Sequence, residues 1–454
     1  MSHIIVIGGG PGGTAAATRA AQLGATVTLI EKESLGGNCV NRNCIPLVGM
    51  MASVELLDRI RRAGRFGISV SEPSLDLQQA RDRVNGIVAE LREGIGGLMA
   101  SFGVTVIEGE AQLLDAQTVA VGDRKIRGEA VILATGAHPA EPPLPIAGLL
   151  TTREALMLDD PPNRLLVWGG GGIELEFAQY FARLDSHVSL ITDGPHVLPD
   201  EDYDVGQRLQ SIIGEQGIQV FTGAALKSAT RKGGVIEAVI AQRKGETTLA
   251  VDRVLWTGHA PVVEGLGLES LGVKVVNGAV RIDEHCQTNV SGVYAVGDLA
   301  GPPMYSYVAT AQGLTAAENA LGRPRRLDLR AMPRCYYTIP EAACVGLSEN
   351  EAEDQGYEVE VVNISQETNV RAMTLDEAVG GIKFVVDRRL GKVLGVHIVG
   401  HRATELIAEP ALGLQLEALA EDFAWALRGH PTLSESLIEA GRAFTHQALY
   451  VPKW

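Results

Sequence analysis

The run Ile4-Ile5-Val6-Ile7, opened by His3, is apolar without polar interruption and rich in β-branched residues, which predicts a strand buried on both faces over His3–Ile7. A turn of glycines follows, Gly8-Gly9-Gly10-Pro11-Gly12-Gly13. Beyond it an Ala-rich stretch reads as a helix over Thr14–Leu23, and a second apolar strand spans Ala25–Ile30, closed by Glu31. The pattern returns about 160 residues later. There Leu165–Trp168 reads as a strand, Gly169-Gly170-Gly171-Gly172-Ile173-Glu174 as the turn, Leu175–Leu184 as a helix and His187–Ile191 as the next strand. After residue 331 the character changes. Strand-like runs at Glu358–Val362, Gly381–Val386 and Val393–Val399 precede helical stretches from Thr404 to Leu427, an α+β module appended to an α/β body. Gly322-Arg323-Pro324-Arg325-Arg326 reads as the linker between them.

Each part of the first unit has a physical job. Gly8 allows the tight turn, Gly10 lets backbone approach a pyrophosphate, and Gly13 lets helix and strand pack closely. The helix N-terminus offers free N–H groups and the positive end of its dipole. Glu31 is placed to accept hydrogen bonds from a ribose diol, so the unit predicts dinucleotide binding. The second copy is imperfect. Glu174 replaces the third glycine, and Thr192, beside Asp193, stands where the acid belongs. Two such units imply two nucleotide cofactors, or one cofactor and a decayed site.

Length and composition narrow the class. At about 150 residues per domain, 454 residues make three or four domains, with core enough to need no disulfide staples. Asp plus Glu exceed Lys plus Arg by 55 to 39, and a net charge of −16 argues against a nucleic-acid partner. With no signal segment and no apolar run long enough to span a bilayer, a soluble, cytoplasmic protein is expected, not a membrane one.

Five cysteines are too few for a secreted disulfide framework, yet Cys39 and Cys44 stand close together. In one ideal helix, residues five apart have Cα atoms about 8–9 Å apart, too far for a disulfide. A bridge would need a distorted first helical turn, with which Pro46 is compatible. Redox exchange is the leading reading of this pair. A metal site lacks a second Cys/His pair, and two inert thiols remain the bland alternative. Near the C-terminus His430 is suited to proton shuttling, with Glu435 placed to orient its ring, while Thr432-x-x-Glu435 also reads as a capping box opening the last helix.

Taken in order, the Gly-rich fingerprint, Cys39-x-Asn41-x-x-Cys44-x-Pro46, the second Gly-rich motif, Tyr294-Ala295-Val296-Gly297-Asp298 and His430-Pro431-Thr432-Leu433-Ser434-Glu435 resemble the class I pyridine nucleotide–disulfide oxidoreductases. The likeness covers essentially the whole chain and is greatest to the dihydrolipoamide dehydrogenase branch. The sequence stops at Trp454 without the cysteine or selenocysteine tail of large thioredoxin reductases, and lacks the additions of many mercuric reductases. The resemblance implies two Rossmann-like dinucleotide-binding domains plus a C-terminal α+β dimerisation domain. It divides the chain into a FAD-binding part (1–148), a NAD-binding domain (149–265), a central part returning to FAD (266–330) and the dimerisation domain (331–454). Gly8, Gly10, Gly13, Glu31, Gly37, Asn38, Ala111, Thr135, Gly136 and Asp298 would hold FAD, with Ser306 near the flavin. Gly169, Gly171, Thr192 and Gly258 would serve NAD(H), and Glu176 would lie by the flavin. Cys44 would be the flavin-proximal, charge-transfer thiolate, and Cys39 the interchange thiol. His430, with Glu435 behind it, would reach the site from the other subunit of a homodimer.

The departures are as informative. Leu47 and Val48 stand where the family carries a lysine that pairs with the glutamate equivalent to Glu176. A buried carboxylate left alone should hold its proton. Gly172 stands in place of the aromatic gate over the nicotinamide pocket, and Glu174 would face the incoming pyrophosphate. Gly258-His259-Ala260-Pro261-Val262 replaces the family's GRxPN run, and Ser306-Tyr307 its Ala-His pair. No arginine lies between Thr192 and Glu201 to grip a 2′-phosphate, which favours NAD(H) over NADP(H). Arg42, Arg59, Arg61, Arg62 and Arg65 form a basic cluster that could dock an acidic lipoyl-bearing carrier, or be a solvated helix face. The expected function is a FAD-dependent oxidoreductase passing electrons between a lipoyl-type dithiol, Cys39–Cys44, FAD and NAD(H). The alternatives are a disulfide oxidoreductase with a non-nicotinamide electron partner, and a flavin redox sensor without turnover.

Overall fold

The computed structural model of the chain describes residues 2–450, so Trp454 lies outside the described residues. The apolar run forms β1 (His3–Ile7), in which Ile4, Ile5 and Val6 are completely buried. Such a strand needs cover on both faces, the condition under which parallel sheets occur. β1 pairs in parallel with β2 (Thr26–Glu31) on one side and with Ala130–Leu133 on the other. β3 (Thr105–Glu108) extends the sheet past β2, and Val293–Ala295 closes the opposite edge against Ala130–Leu133. The helix α1 (Pro11–Gln22) links β1 to β2 and buries Ala16, Ala17 and Ala20. It starts earlier than the Ala-rich stretch alone predicts, because Pro11 supplies a ready-set first helical residue. α1 packs closely on the helix Ser306–Ala320, where a methyl on Gly313 would stand 2.2 Å from the Gly12 carbonyl oxygen.

α2 (Gly37–Asn41) and α3 (Cys44–Arg61) follow β2 and carry the two close cysteines. The second parallel sheet runs in the order Gln219–Phe221, His187–Ile191, Arg164–Trp168, Arg253–Trp256 and Leu149–Leu150. The helix Gly172–Arg183 stands after Arg164–Trp168 as α1 does after β1.

The C-terminal sheet is antiparallel, in the order Arg334–Tyr336, Ala342–Gly346, Val393–Val399, Gly381–Asp387 and Val359–Ser365. Every residue of Gly381–Asp387 and Val393–Val399 is buried. The helical stretch after Thr404 breaks into Ala403–Leu406, Ala408–Gln415 and Ala420–Trp425, with Glu417 at φ 57° separating the last two. Lys383 sits in this buried strand at 3% side-chain exposure, and its ammonium meets Asp202 (2.9 Å), Asp204 (2.8 Å) and Glu349 (2.8 Å). Asp202 and Asp204 open the helix Tyr203–Glu215 of the second nucleotide unit, so one buried cation ties that unit to the C-terminal module. No helix among the described residues is long and apolar enough to cross a membrane.

Candidate functional site

Gly8 has φ +105°, and a methyl there would stand 2.2 Å from the Ala134 carbonyl oxygen. At Gly13 a methyl would stand 1.8 Å from the Gly8 oxygen. Gly10, by contrast, has room: a methyl would meet only the Gly37 Cα, at 3.7 Å. The result is a slot of bare backbone at the N-terminus of α1, which no side chain caps. Gly8, Glu31, Gly109, Ala111 and Thr135 line one pocket beside it. The Glu31 carboxylate accepts the Gly9 and Glu33 N–H groups at 2.6 and 2.8 Å. Asn38 Nδ2 donates to the Ala137 oxygen (2.5 Å) and Thr135 Oγ1 to the Val262 oxygen (3.0 Å), while Gly136 takes φ +72°. Asp298 stands in the 3₁₀ turn Gly297–Ala300, its pKa raised by burial. Gln312, which no sequence motif marked, accepts the Gly297 N–H at 2.6 Å. A backbone slot for pyrophosphate and an acid at the end of β2 fit FAD.

Cys39 lies in α2 and Cys44 is the first residue of α3. The expected distorted turn is a full break between two helices, at Arg42 (φ −139°) and Asn43 (φ −120°, ψ −85°). The Asn43 side chain holds that break, accepting from Thr152 Oγ1 at 3.1 Å and lying 3.2 Å from His259 Nε2. Both cysteines are free thiols that share a hydrogen bond. The bond from Cys44 lowers the Cys39 pKa, helped by Ser306 and opposed by desolvation. The same bond raises that of Cys44, followed by desolvation and the charges of Cys39 and Glu176. The pair therefore releases one proton readily and the second with difficulty. The resemblance assigns the flavin-proximal thiolate to Cys44, the sulfur that faces the Glu176 carboxyl. The Cys44 side chain is open to solvent, yet protein atoms crowd it enough to desolvate it, as at the bottom of a cleft. Leu47, one turn along α3, is buried in the core, and burial pushes the Glu176 carboxyl up to about 7 against the Tyr337 N–H that it accepts at 2.8 Å.

The second turn repeats the backbone of the first, with Gly169 at φ +130° and no side-chain cap on the helix Gly172–Arg183. That geometry fits a second pyrophosphate, with one built-in antagonist. The Glu174 side chain turns back along the loop. It folds against the turn, accepting from Thr257 Oγ1, and Oε2 lies 2.8 Å from where a methyl on Gly171 would be. Burial raises its pKa, opposed by Thr257 and by the N–H groups of Glu174 and Gly171. As a neutral acid it repels phosphate little; ionised, it competes for the same N–H groups. Thr192 is also turned inward. It is 3% exposed, packs on Gly170 and accepts the Gly194 N–H at 3.2 Å, so it does not present its hydroxyl to a ribose. Gly258 is covered by the Trp256 indole, 2.4 Å from where a methyl would stand, and Trp256 packs on Trp168 with ring centroids 4.9 Å apart.

A cluster that the motifs did not reveal lies alongside. The chain from Tyr336 to Ile339 runs along the helix Gly172–Arg183: the Tyr337 N–H reaches Glu176, and the Ile339 N–H reaches Gln179 Oε1 at 2.8 Å. Tyr336 OH donates to Glu201 Oε1 at 2.5 Å, and Arg334 grips the same carboxylate with two bonds of 2.5 and 2.8 Å. Cys344 and His397, cross-strand partners, bring their ligating atoms within 4.8 Å of one another and of the Glu201 carboxylate, a grouping able to hold a metal. Both carboxylate oxygens are already engaged by Arg334 and Tyr336, however, so the trio reads as the footing of the tyrosine.

His430 Nδ1 lies 2.9 Å from Glu435 Oε1, while Oε2 accepts the Thr432 N–H at 2.8 Å. The capping box is thus half formed. The Thr432 hydroxyl turns to the Gly429 oxygen, and the helix begins at Glu435 behind Ser434. Burial works against Glu435, yet Thr432 and His430 hold its pKa below the usual range. With Nδ1 occupied, Nε2 of the exposed His430 is left to exchange protons. The arginine cluster carries less free charge than the sequence suggests. Arg59 pairs with Glu55, Arg61 with Asp185, Arg62 with Asp58 and Glu377, and Arg65 with Asp376.

Residues 2–313 match a family model described as pyridine nucleotide-disulphide oxidoreductase, and residues 332–441 match its dimerisation domain. The chain is 37% identical over 459 residues to a dihydrolipoyl dehydrogenase of Thermus scotoductus, covering 99% of this chain and 98% of that one. Among solved structures it resembles LpdA from Mycobacterium tuberculosis, with a TM-score of 0.89, 30% identity and coverage of 98% and 99%. It also resembles the HOCl-induced flavoprotein disulfide reductase RclA from Escherichia coli, solved as a Cu(II) complex, with a TM-score of 0.86, 25% identity and coverage of 97% and 99%.

Proposed function

The chain belongs to the pyridine nucleotide-disulphide oxidoreductase family, and from that premise we propose that it passes electrons between a lipoyl-type dithiol and NAD(H) through the Cys39–Cys44 pair. It is an FAD-dependent disulfide oxidoreductase, a homodimer joined by its C-terminal domain, and FAD and NAD(H) are the cofactors of its family. The observation that carries the dithiol chemistry is the cysteine pair brought together across the break between α2 and α3.

In the dithiol-oxidising direction, a substrate thiolate attacks the Cys39 sulfur of the oxidised pair, forming a mixed disulfide and releasing Cys44 as thiolate. The second substrate thiolate then attacks its own half of that mixed disulfide, leaving as cyclic disulfide and freeing Cys39. His430 of the partner subunit takes the substrate protons on Nε2, its ring oriented by Glu435. Gly8, Gly10, Gly13, Glu31, Gly37, Asn38, Ala111, Thr135, Gly136 and Asp298 would hold FAD, which when bound would supply the two-electron relay between the cysteine pair and NAD(H). Gly169 and Gly171 would support the NAD⁺ pyrophosphate, while Thr192 supports the turn from within and Gly258 lies under the Trp256 indole. The domains follow as FAD-binding over 1–148 and 266–330, NAD-binding over 149–265 and dimerisation over 331–454. A protein-borne lipoyl group is the preferred substrate, though an acidic carrier would have to compete with the acids that already pair with Arg59, Arg61, Arg62 and Arg65.

Anaerobic titration with dihydrolipoamide, and separately with NADH, tests the circuit. Both should give a long-wavelength band from thiolate beside flavin. Cys44→Ser should abolish the band and lower dithiol turnover by about 10³-fold or more. Full turnover in that variant would remove the exchange mechanism, and reduction by the dithiol alone would mean that the electrons leave the flavin for an acceptor other than NAD⁺.

A further inference from the structure

We infer that Tyr336 is a fixed wall of the nicotinamide pocket, reaching from the C-terminal domain into the space that Gly172 leaves free. This rests on the reading of the second Gly-rich unit as the NAD(H) site. A methyl built on Gly172 would stand 2.3 Å from Cδ1 and 2.8 Å from Cε1 of the Tyr336 ring, so the two positions fill one volume. Real side chains do not tolerate such contacts without displacement.

The ring is held from three directions. Its hydroxyl donates to Glu201 Oε1 at 2.5 Å, and Glu201 itself is 1% exposed and gripped by Arg334 from the same strand. Tyr305, whose ring stacks on Tyr307 with centroids 5.2 Å apart, lies beside the Tyr336 hydroxyl. The backbone beyond Tyr336 is bonded to the helix Gly172–Arg183 at Glu176 and Gln179. Tyr336 is 8% exposed. A side chain borne on residue 172 could turn about its own χ1; Tyr336 has its hydroxyl anchored and cannot swing without leaving a buried carboxylate short of a donor. The pocket is therefore pre-shaped, and nucleotide affinity depends on the fit between positions 172 and 336, which come from different domains.

A double-mutant cycle tests this, with NAD⁺ binding to the oxidised holoenzyme measured by isothermal titration calorimetry, and NADH half-saturation against maximal rate as the second readout. Flavin absorbance retained at full stoichiometry checks that each variant folds. Gly172→Ala should weaken NAD⁺ binding by roughly tenfold, because the methyl displaces the ring. In a Tyr336→Ala background the same Gly172→Ala change should have little further effect, so the two fail to multiply. Tyr336→Phe, which keeps the ring and loses the anchor, should give a smaller loss than Tyr336→Ala. Effects that multiply independently, or a Gly172→Ala enzyme with parental affinity, would overturn the inference while leaving the nucleotide reading intact. A parent holoenzyme that neither binds NAD⁺ nor is reduced by NADH would overturn both.

Discussion

Glu176 is a carboxyl taken out of water with a single N–H for company. Among the described residues its hydrogen-bond donor is Tyr337, and burial pushes its pKa up to about 7 from an ordinary value of 4.5. Between those two values the folded chain binds a proton that the unfolded chain has lost. Its contribution to stability is therefore fully present below about pH 4.5 and fades as pH rises through about 7. Glu176→Gln should gain on the parent as pH goes from 5 to 8, by up to about 3 kcal/mol, read from urea midpoints at the two pH values. Unequal pH dependence in the opposite sense, or none, would show that the carboxyl stays ionised. The missing lysine at Leu47 and Val48 is legible once the resemblance to the family is drawn, since the cysteine motif fixes the positions to compare. That a backbone N–H from Tyr337 takes over part of its role is not legible, because the contact spans 161 residues.

Two Gly-rich turns with the same backbone differ in what fills them. In the first, Gly13 is pressed against the Gly8 oxygen, and the Glu31 carboxylate, reaching in from the end of β2, takes the Gly9 N–H. In the second, Glu174 brings its own carboxylate to the turn, and burial favours the neutral acid there. As pH rises and Glu174 ionises, it should contest the phosphate site, so NADH binding to the parent weakens with pH. Glu174→Gln should bind NADH about 2- to 5-fold more tightly at the alkaline end and similarly at the acid end, as fluorescence titration would report. A parallel pH dependence in both proteins would place the effect elsewhere. The strands and helices of these units were readable from apolar runs and turn residues, as His3–Ile7 and His187–Ile191 illustrate. The direction of the Glu174 side chain was not, for it depends on Thr257 in a neighbouring strand connection. Nor was the failure of the capping box, where Thr432 prefers the Gly429 oxygen to the helix behind it.

Over the whole molecule, the order of motifs along the chain made the architecture legible, while the antiparallel pairing of the C-terminal sheet, whose two central strands are buried throughout, was not. A dimer with His430 of the partner subunit beside Cys39 and Cys44 makes a sharp prediction for mixed subunits. Chains carrying His430→Ala and chains carrying Cys44→Ser should each be nearly inactive as homodimers, by about 10²-fold or more. Co-refolded in equal amounts, they should recover about a quarter of the parental specific activity, since half the dimers are mixed and each has one intact site. A mixture that stays inactive would mean that the histidine serves its own chain.

The buried Lys383 bears on how such a chain can be recombined. By sequence the boundary near Gly322–Arg326 invites a cut, and domain shuffling there would look harmless. Yet Lys383 lies on one side of that cut and Asp202 and Asp204 on the other, as do Tyr336 and Gly172. A chimera whose N-terminal part lacks those two aspartates leaves the buried ammonium with Glu349 alone of its three carboxylates, a loss of most of the charge that balances it. The two halves can therefore be exchanged among relatives only as a matched set, and the unit of inheritance is larger than the unit of folding.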